Sequence, residues 1–207
     1  MKKQNIELFG IPGSGKSYYA KKMIDDDSKY LNVTTYLFSR YGSLKFKFFV
    51  HGRLSFLYER KITKKLILLF KPYLNNNNVF GFDVKLIIYI YQMIYLYHIK
   101  NLYQNKPKVL FFDEGIIHRL ISIEAEFDVP HNIAVKAYHI LDNDNVKYFF
   151  IDVPVQLAVE RIRLRNRNIT NMDFLNNLDL VRFLNKYHEI CVSYFRDLKE
   201  VELIENY

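Results

Sequence analysis

A chain of 207 residues, half of them hydrophobic and a quarter charged, has the length of one domain with a modest insertion and is too apolar to be disordered throughout. Thirty Lys and Arg stand against 22 Asp and Glu, a formal net charge of +8 that favours anionic partners: phosphorylated ligands, nucleic acid or an acidic membrane surface. The single cysteine, Cys191, excludes an intrachain disulfide and a cysteine-based metal cluster.

In chain order, residues 5–9 form the first of five apolar runs that read as strands. Their apolar part is too short for a signal-peptide core. A helix is expected over 15–25, then a second strand over 31–38, rich in Val, Thr and Tyr. The third strand, 108–112, is a continuous Val-Leu-Phe-Phe run of the kind buried on both faces. Helices are expected over 116–124, over 130–141 with Pro130 in the first turn, and over 154–166 with Pro154 placed likewise. A fourth strand at 146–152 lies between the last two. Thr170 and Asp173 have capping-box spacing ahead of a long helix to about 199, and 201–204 is the fifth strand. Strand alternating with helix predicts an α/β fold, a parallel sheet covered by helices.

Residues 41–105 exceed what that alternation needs. Two helical stretches, 44–71 and 82–104, flank Asn75-Asn76-Asn77-Asn78, which reads as a loop. The expectation is one domain over 1–207, with 41–105 a helical insertion packed on the sheet. The most apolar segment, 86–99, is shorter than the roughly 20 residues that span a bilayer, so a cytoplasmic protein is expected.

Gly10-Ile11-Pro12-Gly13-Ser14-Gly15-Lys16-Ser17 matches G-x-x-x-x-G-K-[ST] at every fixed position, between an expected strand and an expected helix. Glycines let the backbone wrap a phosphate, and successive amide hydrogens converge at the helix N-terminus. In that geometry Lys16 reaches the β- and γ-phosphates of a nucleotide and the Ser17 hydroxyl ligates Mg²⁺, so ATP and Mg²⁺ are the expected ligands. The third strand runs into Asp113-Glu114-Gly115, at the strand end where ligands sit in such sheets. One carboxylate would serve the metal, with Asp113 the first choice, and the other would take a proton from an attacking hydroxyl or water; which does which stays open. His118 and Arg119 follow one helical turn on. His118 reads as structural, and Arg119 reads equally as an acceptor ligand or a surface ion pair.

Beyond the fourth strand, Arg161 and Arg165 share one helix face while Arg163 and Arg167 share another. Guanidinium groups closing over a transferring phosphoryl group would spread its charge, and the polar 168–173 segment has the composition of a lid. The turn at 10–17, the Asp after the third strand and the 152–165 stretch, D-V-P-x-x-x-A-x-E-R-I-x-x-R, resemble thymidylate kinases and the wider nucleoside and nucleotide kinase families. The resemblance implies a three-layer P-loop NTPase fold with a five-stranded parallel sheet, ATP as donor and an arginine-bearing lid. It places Asp113 where those kinases have the acidic residue that positions or activates the acceptor, and matches Lys16, Ser17, Arg161 and Arg165 to donor and lid positions. Glu114 stands where thymidylate kinases carry Arg, and their Arg-Glu-Pro acceptor loop is replaced by Ser39-Arg40-Tyr41.

Three readings fit 41–105. Leu86, Ile90, Met93 and Tyr97 at helical spacing suit a buried face of an acceptor-side subdomain. Lys45, Lys47, Arg53, Arg60, Lys61, Lys64 and Lys65, interleaved with Phe and Leu, suit an anionic membrane surface or single-stranded nucleic acid. The leading functional expectation is a small-molecule kinase that moves the γ-phosphate of ATP to a nucleoside-like acceptor. The alternative is an ATPase or nucleotide switch in which Asp113-Glu114 activates water and the insertion meets a partner.

Overall fold

The computed structural model describes residues 4–25, 30–33, 55, 57–74, 84–141, 145–165 and 171–206. All five residues of β1 (Asn5–Phe9) are buried, as a strand with neighbours on both edges and helices on both faces requires. It lies at the centre of a five-stranded sheet, ordered β2-β3-β1-β4-β5, and every pairing is parallel. The partners are β2 (Tyr30–Asn32), β3 (Val109–Phe112), β4 (Val146–Asp152) and β5 (Val201–Glu205).

Alternation along the strands sorts side chains to two faces. Ile6, Leu8, Phe111, Phe149 and Ile151 pack with Ala20 of α1 (Lys16–Asp25) on one side. Phe9, Phe112, Tyr148 and Phe150 join the larger core on the other. That core is closed by α4 (Ile116–Phe127), α5 (His131–Ile140) and α7 (Asn177–Asp197), while α6 (Val155–Arg165) follows β4. The result is a three-layer α/β arrangement. Two more helices, α2 (Arg60–Phe70) and α3 (Val84–Tyr103), extend the larger layer. Leu66 and Phe70 of α2 and Leu86, Ile90, Met93 and Ile94 of α3 are buried with Ile117, Leu120 and Ile121 of α4. Tyr95 is buried too, so α3 is covered on more than one side, and its Tyr89 hydroxyl donates to Glu126 at 2.9 Å.

Several boundaries differ from the sequence expectation. β2 starts at Tyr30 and ends at Asn32, because an edge strand pairs only with β3 and Val33 is already helical. The rest of the expected second strand lies outside the described residues, as do Ser39-Arg40-Tyr41, 44–54 and the Asn75–Asn78 loop. The helix ending at Phe70 tightens into a 3-10 turn, Lys71–Tyr73, that carries Pro72. Pro130 is the N-cap of α5, extended at ψ 141°, one position before the first turn.

The largest correction concerns α7. It begins at Asn177, several residues after Thr170, and Asp173 lies in a separate 3-10 turn, Asn171–Phe174. Its cap is Asn176, whose Oδ1 accepts the Asp179 N–H at 2.9 Å while its Nδ2 donates to the Asp179 carboxylate at 2.6 Å. Among the described residues, no helix is long and apolar enough to cross a membrane.

Candidate active site

Where β1 ends, the glycine-rich turn is pressed between β4 and α6. Gly13 has φ 86°, and a Cβ there would lie 2.7 Å from the carbonyl oxygen of Ala158 in α6, so only glycine fits. A Cβ on Gly10 would lie 2.4 Å from the carbonyl oxygen of Ile151. Ser14 N–H closes the turn on Ile11 O at 3.1 Å, and α1 starts with Tyr18 N–H on Gly15 O at 2.9 Å. From the far edge of the sheet, Asn206 straps the turn: its Nδ2 donates to Ser14 O at 2.7 Å and its N–H to Asp152 O at 2.9 Å. His188 of α7 meets the Asp152 carboxylate at 2.8 Å.

The Lys16 side chain folds back over this turn. Its Nζ donates to Gly10 O at 2.9 Å and to Ile11 O at 3.0 Å, and the residue is only 8% exposed. Burial pulls its ammonium below the ordinary lysine value, with Glu114 and Asp113 pulling the other way. A cation held so, with carbonyls for partners, gains from any anion that enters beside it. The space for one exists: a cleft of about 200 Å³ lined by Gly13, Gly15, Lys16 and exposed Ser17, by Glu114 and His118, by Arg165, and by Met172 and Asp173 of the 3-10 turn. The turn's donors, a lysine and an arginine on one cavity fit a polyphosphate.

Of the residues singled out from sequence, the fold therefore brings Lys16, Ser17, Glu114 and Arg165 onto one cleft. Pro12, Gly13 and Gly15 also line it, while Gly10, Ile11 and Ser14 lie buried in the turn behind them. Asp113, half-buried at the end of β3, and Arg161 stand outside the lining. Arg161 keeps a buried Nη1 with no hydrogen-bond partner among the described residues. Arg163 is turned elsewhere. It donates to Asp173 O at 3.1 Å, to Leu175 O and to Asn177 Oδ1 at 3.0 Å, tying α6 to the segment that leads into α7. Arg167 lies outside the described residues.

Glu114 is ionised at every ordinary pH. Burial raises its carboxyl, but the nearby His118, Arg119 and Lys16 outweigh that and bring it down to about 2. Arg119 Nη2 donates to it at 3.1 Å, whereas the Arg119 Nε is buried with no partner among the described residues. His118, read as structural from sequence, lines the cleft. Its Nε2 is 3.9 Å from Glu114 and its Nδ1 3.3 Å from the Tyr187 hydroxyl, which in turn meets Ser122 at 3.0 Å. Burial drives the imidazole down to about 3, so it is neutral.

One ionisable group escaped the sequence reading. Glu7, in mid β1, is 3% exposed, and its Oε1 accepts the N–H of Ile117 at 2.6 Å and of His118 at 3.3 Å. Burial pushes this carboxyl up to about 7, although those amides and Arg119 pull it down. The signal available was a lone acid inside an apolar strand.

No protein-family model matches the chain, and no curated protein does. Solved structures match over nearly its whole length. A deoxyadenosine kinase from M. mycoides with the products dCMP and dCDP bound has a TM-score of 0.54 at 15% identity, covering 98% of this chain and 90% of that one. The structure of a deoxyadenosine kinase from the same organism with dCTP bound gives 0.53 at 16% identity, covering 97% and 89%. One with dATP bound gives 0.51 at 16% identity, covering 97% and 90%. At this identity the likeness is one of fold: the chain shares the overall three-layer α/β fold of these structures.

Proposed function

We propose that the protein is an ATP-dependent phosphotransferase that moves the γ-phosphate of Mg-ATP to a hydroxyl or phosphate oxygen of a nucleoside-like acceptor. The observation that carries it is the convergence, on one cleft, of the buried Lys16 in a glycine-rich turn, the ionised Glu114 and Arg165. The nucleotides named with the matching kinase structures support a nucleoside or nucleotide as acceptor.

Lys16 and the amides of residues 13–17 bind and orient the phosphates, and Arg165 neutralises charge that spreads over the transferring group. Ser17, on the cleft, would hold Mg²⁺, with Asp113, outside the lining, reaching it through water, and the metal would supply neutralisation of the donor's charge. Glu114 takes the acceptor side. With a carboxyl near 2 it is a weak base, and what it provides is a fixed, ionised hydrogen-bond acceptor for the attacking hydroxyl. That suffices in a loose transition state, where the hydroxyl proton leaves late. The acceptor oxygen bonds to the γ-phosphorus as the bond to the ADP oxygen breaks. The proton passes to Glu114 or onward to solvent.

The test is mass spectrometry of a reaction holding the protein, Mg²⁺, ATP and a pool of nucleosides, nucleoside monophosphates, sugars and 5′-hydroxyl oligonucleotides. A phosphorylated nucleoside or nucleotide is expected, absent with Lys16→Ala. Glu114→Gln should keep ATP binding and slow transfer by roughly a hundredfold or more. ADP released with no phosphorylated acceptor would overturn the reading in favour of a nucleotide switch.

A further inference from the structure

Glu7 is a costly residue to keep where it is. A Leu or Met in the middle of the central strand would fill similar volume without desolvating a carboxyl, and buried charges are often replaced by apolar groups without loss of stability. What a hydrocarbon cannot do is accept the two backbone N–H bonds, from Ile117 and His118, that open α4. Those amides belong to the first turn of the helix that carries His118, immediately after the turn that carries Glu114.

Gly115 shows how tightly the two pieces are joined. Its φ of −95° is one that any residue adopts, so the backbone does not demand glycine there. The side chain of Glu7 does: a Cβ on Gly115 would stand 2.2 Å from the Glu7 Cδ and 2.5 and 2.6 Å from its oxygens. The carboxyl fills the space a side chain at 115 would take. Beside it, between Glu7, Leu96, Lys100, Phe112, Ile116 and Val146, only a void of about 10 Å³ is left.

We propose that Glu7 is a positioning residue for phosphoryl transfer: seated under Gly115 and bonded to the Ile117 and His118 amides, it fixes where Glu114 and His118 stand over the phosphate-binding turn. This rests on the phosphotransferase reading above. Glu7 itself does not line the cleft and touches no reacting atom.

Two variants separate its effects. Glu7→Leu keeps volume and removes the acceptor oxygens, while Glu7→Gln keeps one acceptor oxygen at the same reach. Steady-state kinetics with Mg-ATP and ATP binding by calorimetry would be measured for both, with amide hydrogen exchange on the protein without substrate. Glu7→Leu is expected to lower kcat by roughly tenfold or more, since a misplacement of about 1 Å can cost about a hundredfold and a smaller shift proportionately less, with ATP affinity within about twofold of wild type. Glu7→Gln should recover most of kcat, and exchange at the Ile117 and His118 amides should rise in Leu and not in Gln. A Glu7→Leu protein with wild-type kcat, or one losing kcat and ATP affinity together, would overturn the proposal. If Leu does not fold, a Gln variant that loses as much kcat as removal of Glu114 would do the same. A wild-type protein that transfers no phosphate would sink the phosphotransferase reading instead. The exchange data would then still decide whether Glu7 anchors the turn.

Discussion

Glu7→Gln should make the protein more stable at alkaline pH than the wild type. The native carboxyl is buried and its ordinary value of 4.5 is raised to about 7, because desolvation outweighs the amides of His118, Ile117 and Ile116 and the charge of Arg119. The other charged group beside it is Lys100 of α3, which lines the same void. The native state therefore holds this proton more tightly than the unfolded chain. Stability from this group is full below about 4.5, falls as pH rises toward 7, and is flat above. At 1.36 kcal/mol per pH unit the loss is roughly 3 kcal/mol, a large part of the stability of an ordinary domain. Glutamine keeps the oxygen that accepts the Ile117 N–H and carries no proton to lose. Urea denaturation of both proteins at pH 5, 6, 7 and 8 isolates the effect, since every other group titrates alike in the two. The wild-type curve should drop against the Gln curve over that range, most of it before pH 7.5. A difference that is the same at pH 5 and pH 8 would show that the amides hold Glu7 as an ordinary carboxylate, and the desolvation argument would fail.

Other perturbations follow from single contacts. His131 bridges Glu124 and Asp197, at 2.9 Å on each ring nitrogen; burial opposes its charge, but both carboxylates outweigh it and raise its pKa above 6.5. Its contribution is complete below 6.5 and fades as pH climbs through the higher native value, so the Tm advantage of wild type over His131→Gln should shrink between pH 6 and pH 9. Asn176→Ala removes the cap of α7 and should cost about 1 kcal/mol in urea denaturation.

How far the residues alone foretold this molecule depended on whether the deciding partner was near in sequence. The glycine-rich turn was legible because its eight residues are contiguous and each answers a local demand, with glycine where Ala158 leaves no room for a Cβ and lysine where carbonyls converge. The apolar runs at 5–9, 108–112 and 146–152 were legible for the same reason, being buried on both faces. The start of α7 was not. Thr170-x-x-Asp173 and Asn176-x-x-Asp179 have the same spacing, and local preference does not choose between them. Arg163 chooses. By holding the carbonyls of Asp173 and Leu175 from α6, it folds 171–174 into a turn against the cleft and leaves Asn176 to begin the helix. The helical spacing separated Arg163 from Arg165, yet it could not say that Arg163 meets backbone while Arg165 lines the cleft and Arg161 does not. Glu7 is the extreme case. Its hydrogen-bond partners lie about 110 residues away, and only the assembled sheet brings a carboxyl on β1 beneath the turn after β3. Spacing within the chain therefore picks out groups that line the cleft. The groups that hold them in place are set by which strands become neighbours, and that is why Gly115, ordinary by its own φ, tolerates no side chain.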